Sequence, residues 1–200
     1  MKLMKLSALA IAVMAVTIAP SQANETAPDF DYISASYENT DFAGEKVNGF
    51  GLELSRSINA DWFMMAGLNY GSESNVAGTS IDFDFTNISV GAAYKFHQTE
   101  TTAFYAGLGL VYVDASASGF GETISDSDTG YGLTLGVRHR FTPEFEFDGQ
   151  VQHVDVAGDS DQQFSLTGKY FFQTDWSARL NYTFVDSDNS SFGIGVSYHF

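Results

Sequence analysis

Apolar and polar residues alternate one by one along most of this chain. The clearest stretch runs from Phe192 to Phe200, where one parity holds Phe, Ile, Val, Tyr and Phe and the other holds Gly, Gly, Ser and His. A β-strand points successive side chains to opposite faces, so a period of two predicts a strand with one apolar face and one polar face. An amphipathic helix would need a period near 3.6 residues, which this stretch does not have.

Ten segments repeat the alternation and predict ten strands. In the eighth and ninth segments, charge appears only on the parity opposite the bulky apolar residues, as in a strand with lipid outside and a polar lumen inside. We predict strands within residues 31–37, 50–54, 62–70, 88–96, 106–112, 131–141, 145–151, 164–172, 176–184 and 192–200. Phe200 is the last residue predicted to face lipid.

The connections between these segments alternate between short and long. The short ones are Ser57–Asp61, His97–Thr101, Thr142–Glu144 and Gln173–Asp175, and the long ones are Glu38–Asn48, Gly71–Ser80, Asp114–Thr129, Asp155–Gln162 and Val185–Ser190. This pattern predicts an all-β fold, an antiparallel up-and-down transmembrane β-barrel with short periplasmic turns, longer extracellular loops and both termini periplasmic. Eight strands would require merging two hairpins.

Two local features refine this prediction. The parity of Asp82 to Phe85 conflicts with that of Ile88 onward, which indicates either a β-bulge or an extension of the strand above the membrane. Aromatic residues flank both the short and the long connections, as in the two interface girdles of a membrane barrel. A soluble lipocalin-type or sandwich fold has the same period, but its apolar face points inward and needs no such girdles.

The first 23 residues have the pattern of a cleaved export signal. Lys2 and Lys5 form a basic start, residues 6–18 are apolar, and Ser21-Gln22-Ala23 is a small-x-small cleavage site. The apolar stretch of 13 residues is shorter than the roughly 20 that a membrane-spanning helix needs. We therefore predict a signal peptide at residues 1–23, an outer-membrane barrel domain at residues 24–200, and export through the periplasm to the outer membrane.

Composition narrows the possible partners. Without Lys2 and Lys5, 7 basic residues face 25 acidic ones, a net charge near −18, which argues against nucleic acid or anionic lipid as a partner. The absence of cysteine excludes a disulfide framework and thiol chemistry. We expect no cofactor and a monomer in contact with outer-membrane lipid and lipopolysaccharide.

The export signal, the alternation and the terminal Phe192-Gly-Ile-Gly-Val-Ser-Tyr198-His-Phe200 resemble the small outer-membrane β-barrel family that includes the OmpA membrane domain and opacity-type proteins. The resemblance implies that the last strand, with Tyr198 and Phe200, is the signal read by the barrel-assembly machinery, and that periplasmic chaperones accompany the chain. Many members have eight strands rather than ten.

Charged residues on the lumen side form the first candidate site. A hairpin turning about Pro143 sets Arg138 opposite Asp148 and Arg140 opposite Glu146, which predicts two pairs of opposite charge. Such a cluster is either an ion-selective constriction or a polar core that rigidifies a barrel too narrow to conduct, and we favour the core. The predicted luminal charge cluster comprises Lys95, Arg138, Arg140, Glu146, Asp148, Lys169 and Arg179.

Acidic residues in the outer loops form the second candidate site. Thirteen acids lie there against one base, Lys46. Paired acids at Asp126/Asp128 and Asp159/Asp161 are weak candidates for a divalent cation, but neither pair fits a complete calcium loop, so we expect no metal site. Solvated loops are the default expectation.

Catalysis is the third possibility. Omptin-family proteases are ten-stranded barrels with Asp-Asp and Asp-His pairs at the outer rim, and Asp82/Asp84 with His153/Asp155 resemble that set. His153 has the lipid-facing parity, so we expect no enzyme. The sequence favours a structural or surface-interaction protein acting through acidic extracellular loops, with a small passive pore as the alternative and an omptin-like protease as the second alternative.

Overall fold

The computed structural model describes residues 27–42 and 44–200, and nearly all of them lie in strands. One 3-10 helix, Val76–Gly78, interrupts the β3–β4 connection, and no helix among the described residues is long and apolar enough to cross a membrane. The predicted signal peptide lies outside the described residues and stays a prediction. The strands are β1 Tyr32–Phe42, β2 Glu45–Ser57, β3 Trp62–Glu73, β4 Ile81–Gln98, β5 Thr102–Gly119, β6 Glu122–Thr142, β7 Phe145–Val156, β8 Asp159–Gln173, β9 Trp176–Phe184 and β10 Asn189–His199.

The ten strands close into one antiparallel barrel. Each strand pairs with its neighbours in sequence, and β1 closes the ring on β10 from Tyr32 opposite His199 to Phe42 opposite Asn189. The predicted ten-stranded fold is therefore confirmed, and the eight-stranded alternative is wrong. Both ends of the described chain lie at the end with the four short turns, which is the periplasmic end of an outer-membrane barrel.

The outer connections differ from the prediction of long loops. Three of the five are strand almost to the tip, and residues with positive φ lie at their turns: Gly44 in the first, Phe120 and Gly121 in the second, and Ala157 and Gly158 in the third. Backbone twist favours such turns in tight hairpins, and glycine adopts positive φ without steric cost. The Ser- and Asp-rich composition suggested loops, but paired backbones hold these residues in strands.

The parity conflict at Asp82 to Phe85 arises from a strand extension. β4 pairs with β3 without a register shift from Phe83 to Tyr94, so the alternative of a bulge there is wrong. Phe85 enters the lumen and packs against Phe42, with ring centroids 5.3 Å apart. Bulges instead occur at the periplasmic ends of β4, β6 and β8, next to Phe96, Phe141 and Phe172.

The outer face is apolar and carries aromatic pairs near both ends. Trp62 contacts Tyr94 across strands and Trp176 contacts Tyr198, each with ring centroids 5.1 Å apart. These pairs lie near the periplasmic turns, where a girdle is expected. Phe200 departs from prediction, because it follows β10 and is only 8% exposed, with the Arg56 guanidinium 5.0 Å from its ring centroid.

Candidate functional site: the lumen and the outer rim

Ion pairs fill the periplasmic half of the lumen. Arg138 and Asp148 lie opposite each other on β6 and β7, as predicted, and Arg138 Nε is 2.6 Å from Asp148 Oδ2. The Tyr105 hydroxyl donates to the same carboxylate at 2.9 Å. All three side chains are buried, so each charge depends on its partner for solvation.

Glu146 has a different partner from the one predicted. Its backbone lies opposite Arg140, but its carboxylate accepts a hydrogen bond from Lys169 Nζ at 3.1 Å and lies 3.9 Å from Arg138 Nε. The Arg140 guanidinium donates to the Pro143 carbonyl at 2.6 Å and stacks 3.9 Å from the centre of the Phe171 ring. The predicted register is confirmed, whereas the Arg140–Glu146 ion pair is wrong, because the long arginine side chain reaches along the lumen to the turn.

Arg179 completes the periplasmic half with an acid that sequence reasoning missed. Its guanidinium donates to Glu53 on β2 at 2.8 Å, across the lumen from β9, and Glu53 also accepts a hydrogen bond from the Tyr32 hydroxyl. Lys95 contacts an aromatic ring instead of an acid, with its Nζ 4.9 Å from the centre of Phe30. The structure thus brings all seven predicted cluster residues to the same half of the lumen.

Five residues before β1, Ala27–Asp31, enter this half and form what we call the plug. Phe30 is 4% exposed and packs against Phe63, with ring centroids 4.4 Å apart. The Asp29 amide donates to Glu146 at 2.8 Å, and the Phe30 carbonyl accepts from the Ser55 hydroxyl at 2.7 Å. The plug therefore covers the luminal charge cluster from the periplasmic side.

The plug also completes a chain of hydrogen bonds with the connectivity of a Ser-His-Asp triad. Ser177 Oγ lies 2.9 Å from His199 Nε2, and His199 Nδ1 lies 2.6 Å from Asp29 Oδ2. Ser177 is fully buried, so a substrate would have no path to its hydroxyl. The arrangement anchors Asp29 to the last strand.

Above the charge cluster, the lumen contains a polar cavity of about 330 Å³. Amides and hydroxyls share its wall with apolar side chains, with Glu38 and with the Glu53–Arg179 pair, and Phe85 lies at its outer part. Gln152 donates to Thr134 there at 3.1 Å. The two halves of the lumen are therefore chemically different: the periplasmic half is densely charged and packed, and the outer half is hollow and has mostly uncharged groups on its wall. Polar residues lining the cavity include Asn69, Gln150, Gln152, Ser165, Asn181 and Thr183.

On the outer rim, β4, β5 and β6 extend beyond the other strands as a three-stranded sheet. β5 and β6 pair up to Gly119 opposite Glu122, whereas β6 pairs with β7 only as far as Gly130. Within the described chain, Glu122–Thr129 thus has a neighbour on one side only, and these residues are all exposed. The rim therefore presents a free strand edge, which is a template for pairing with another chain.

The other predicted rim sites are dispersed. Asp126 and Asp128 lie on β6, Asp159 and Asp161 lie on β8, and among the described residues no three His, Cys, Asp or Glu side chains converge as metal ligands. The omptin-like pairs are not brought together either. Asp82 and Asp84 lie on β4 and His153 and Asp155 on β7, with β5 and β6 between them.

Sequence reasoning missed the plug and the inward acid Glu53. The sequence could have identified Glu53, because it alternates with the outward-facing Leu52 and Leu54 and lies in the periplasmic part of its strand. Phe30 lies just outside the first alternating segment, so no periodicity marks it as buried.

A closed barrel with an apolar outer surface, aromatic girdles and a polar lumen defines a transmembrane β-barrel. Residues 8–168 match the sequence model of the family described as outer membrane protein beta-barrel domain. The chain belongs to this family, and the protein is an outer-membrane β-barrel.

Solved structures show the same fold at low identity. An outer membrane channel from Pseudomonas putida F1 has a TM-score of 0.52 and 12% identity, covering 92% of this chain and 100% of its own. The attachment invasion locus protein Ail of Yersinia pestis has a TM-score of 0.48 and 20% identity, covering 84% and 95%. OprG from Pseudomonas aeruginosa has a TM-score of 0.46 and 15% identity, covering 89% and 99%. Comparison with the curated proteins gives no match.

Proposed function

We propose that the protein acts at the cell surface, where its acidic outer hairpins bind a basic, extended partner, and that the barrel is a non-catalytic scaffold. The observation that carries this proposal is the exposed free edge of β6 at Glu122–Thr129. Main-chain groups on such an edge give affinity to an added strand. The charge of the edge supports a basic partner, since Glu122, Asp126 and Asp128 lie on it and no Lys or Arg occurs between Lys95 and Arg138.

A labelled peptide of alternating lysine and threonine tests this function on the protein in lipid nanodiscs. We expect Asp126→Asn with Asp128→Asn to weaken binding several-fold and to reduce its salt dependence. The matched control is Asp61→Asn with Asp175→Asn, which removes the same charge from exposed periplasmic turns. Equal binding by both double variants would contradict a role for the outer hairpins.

A proline substitution tests the edge itself. The Ser118 and Thr123 hydroxyls lie 3.1 Å apart, as expected for opposite residues that share no backbone hydrogen bonds. Bonded and non-bonded pairs alternate along an antiparallel ladder, so Ser125, two residues further along β6, also forms a non-bonded pair with β5. Its amide therefore points towards the free edge. Ser125→Pro removes that donor and is expected to weaken peptide binding while leaving the β5 ladder intact. Ser125→Thr keeps the amide and should bind like the wild type.

The polar cavity favours a second candidate function, a small passive pore for ions or small solutes. Planar-bilayer recording distinguishes the two, because stepwise conductance by the wild-type protein would support the pore.

The proposed partners during biogenesis and residence are the barrel-assembly machinery, periplasmic chaperones, outer-membrane lipid and lipopolysaccharide, with the protein a monomer. Loss of peptide cleavage on Asp84→Ala would instead support the omptin-like protease.

A further inference from the structure

We propose that the plug, Ala27–Asp31, is a removable closure over an anion-binding constriction, and that its displacement opens a path through the lumen for small inorganic anions such as chloride. This inference concerns the lumen and is independent of the proposed binding by the outer hairpins.

The barrel wall is complete without the plug. All ten strands are paired around the ring, and β1 begins at Tyr32, after the plug. The wall acids also have wall partners: Asp148 pairs with Arg138, Glu146 with Lys169 and Glu53 with Arg179. None of these three pairs contains a residue of the plug, so we expect them to remain when residues 27–31 move. Displacement instead breaks the packing of Phe30 against Phe63 and the hydrogen bond from the Phe200 amide to the Asp31 carbonyl.

Bases of the wall make several of the contacts to the plug, alongside contacts from carboxylate, hydroxyl, backbone amide and aromatic groups. Arg138 donates to the Asp29 carbonyl, and its guanidinium lies 4.2 Å from the centre of the Phe30 ring. The Lys95 ammonium lies over the same ring, and Arg140 donates to the Ala27 carbonyl at 3.5 Å. Displacing the plug therefore leaves three cationic groups without these contacts, whereas each wall acid keeps its base.

The charge count gives the sign of selectivity. Among the described residues, the charge cluster and Glu53 comprise five bases, Lys95, Arg138, Arg140, Lys169 and Arg179, and three acids, Glu53, Glu146 and Asp148, a net charge of +2. Glu38 in the cavity above lowers the net charge along the lumen to +1. Rings of Arg and Lys at a constriction select anions. The acidic outer rim opposes this preference, but 1 M salt screens exposed charges over about 3 Å and buried ones much less.

The experiment is planar-bilayer recording of the full chain with Asp29→Ala and Phe30→Ala, together and singly. Asp186→Ala with Phe120→Ala is the matched control, because it removes the same side-chain types from exposed outer connections. Heat-modifiable gel mobility verifies that each variant is a folded barrel. We expect the plug variants to conduct in steps while the wild type and the control stay silent.

A tenfold KCl gradient then measures selectivity. In the conducting variants we expect a reversal potential whose sign shows selectivity for chloride. Lys95 belongs to none of the ion pairs found among the described residues, so its charge is not neutralised by an acid. Lys95→Gln should therefore shift the reversal potential towards zero. A folded plug variant that stays silent overturns the closure, and a potassium-side potential overturns the anion site. Neither outcome affects peptide binding by the outer hairpins, so the two proposals fail separately.

Discussion

Arg138 is the residue on which most of the luminal contacts converge. It pairs with Asp148, approaches Glu146, donates to the plug and lies over the rings of Phe30 and Tyr32. Its backbone position was predictable, since inward parity and the turn at Pro143 set it opposite Asp148. Its contacts to the plug were not, because register specifies only cross-strand neighbours and a guanidinium reaches well beyond them.

Removing Arg138 should therefore be costly. Arg138→Gln leaves Asp148 buried with only the Tyr105 hydroxyl as donor, and breaking a buried ion pair in this way costs about 3–5 kcal/mol. Urea-induced unfolding in detergent micelles measures the loss of stability. Arg56→Gln is the comparison, because the Arg56–Asp31 pair is longer, at 3.5 Å, and its side chains are 22% and 15% exposed, so we expect a smaller loss. Similar losses for both variants would contradict the central role of Arg138.

Asp29 gives plug docking a pH dependence. Burial alone would raise the pKa of Asp29, but the hydrogen bond and charge of His199 hold that pKa below its ordinary value. The other facing groups are Arg138 at its carbonyl, Glu146 at its amide, and the Lys169 charge. A lowered folded-state pKa means that this stabilisation is present above the unfolded pKa of about 4 and is lost as pH falls through the folded pKa.

Hydrogen exchange of the Asp29 and Asp31 amides, which donate to Glu146 and to Asp29, measures this dependence. We expect strong protection from pH 7 down to about 4 and a loss of protection only below it. Asp29→Asn carries no titratable group at this position and should show weakened protection already at pH 7. Protection that falls between pH 7 and about 5 would mean that another group controls docking.

At the scale of elements, alternation predicted the membrane-spanning part of every strand but not the outer ends. Above the membrane no face of a strand contacts lipid, so apolar and polar residues stop alternating there. Asp114–Thr129 therefore had the composition of a loop, although its two halves are paired as strands. The signals that could have identified the hairpins are the glycines at their tips, such as Gly121 and Gly158. A lone glycine among Ser and Asp residues does not distinguish a two-residue turn from an open loop.

The β7–β8 hairpin depends on this turn geometry. Gly158 has a φ of +90°, and Gly158→Ala should destabilise the hairpin by about 1–2 kcal/mol, because a side chain is unfavourable in that conformation. Gly168→Ala on β8 is the matched control, since its Cβ would have no atom within 4 Å. Hydrogen exchange of the hairpin amides reports the difference. Equal exchange in both variants would show that strand pairing alone sets this turn.

The whole molecule is polarised along the barrel axis. Charge pairs and the plug fill the periplasmic half, amides, hydroxyls and apolar side chains line the outer half, and acidic residues outnumber basic ones at the rim. A packed periplasmic end and a cavity towards the other end predict a barrel that admits water from outside but blocks its passage. This division follows from where the inward charges lie along the strands, and the sequence already placed most of them near the short turns.

Cysteine labelling tests this polarity, because the chain has no cysteine of its own. Ser165 lines the outer cavity, whereas Ser197 is fully buried in the periplasmic half, where its hydroxyl lies 2.8 Å from that of Ser34. A membrane-impermeant thiol reagent added to intact cells should label Ser165→Cys and leave Ser197→Cys unreacted. Adding the plug substitutions Asp29→Ala and Phe30→Ala should make Ser197→Cys reactive, because water then reaches the constriction. Equal labelling of the two cysteines with the plug intact would mean that the water path is continuous, and the wild-type barrel would then be a pore rather than a closed scaffold.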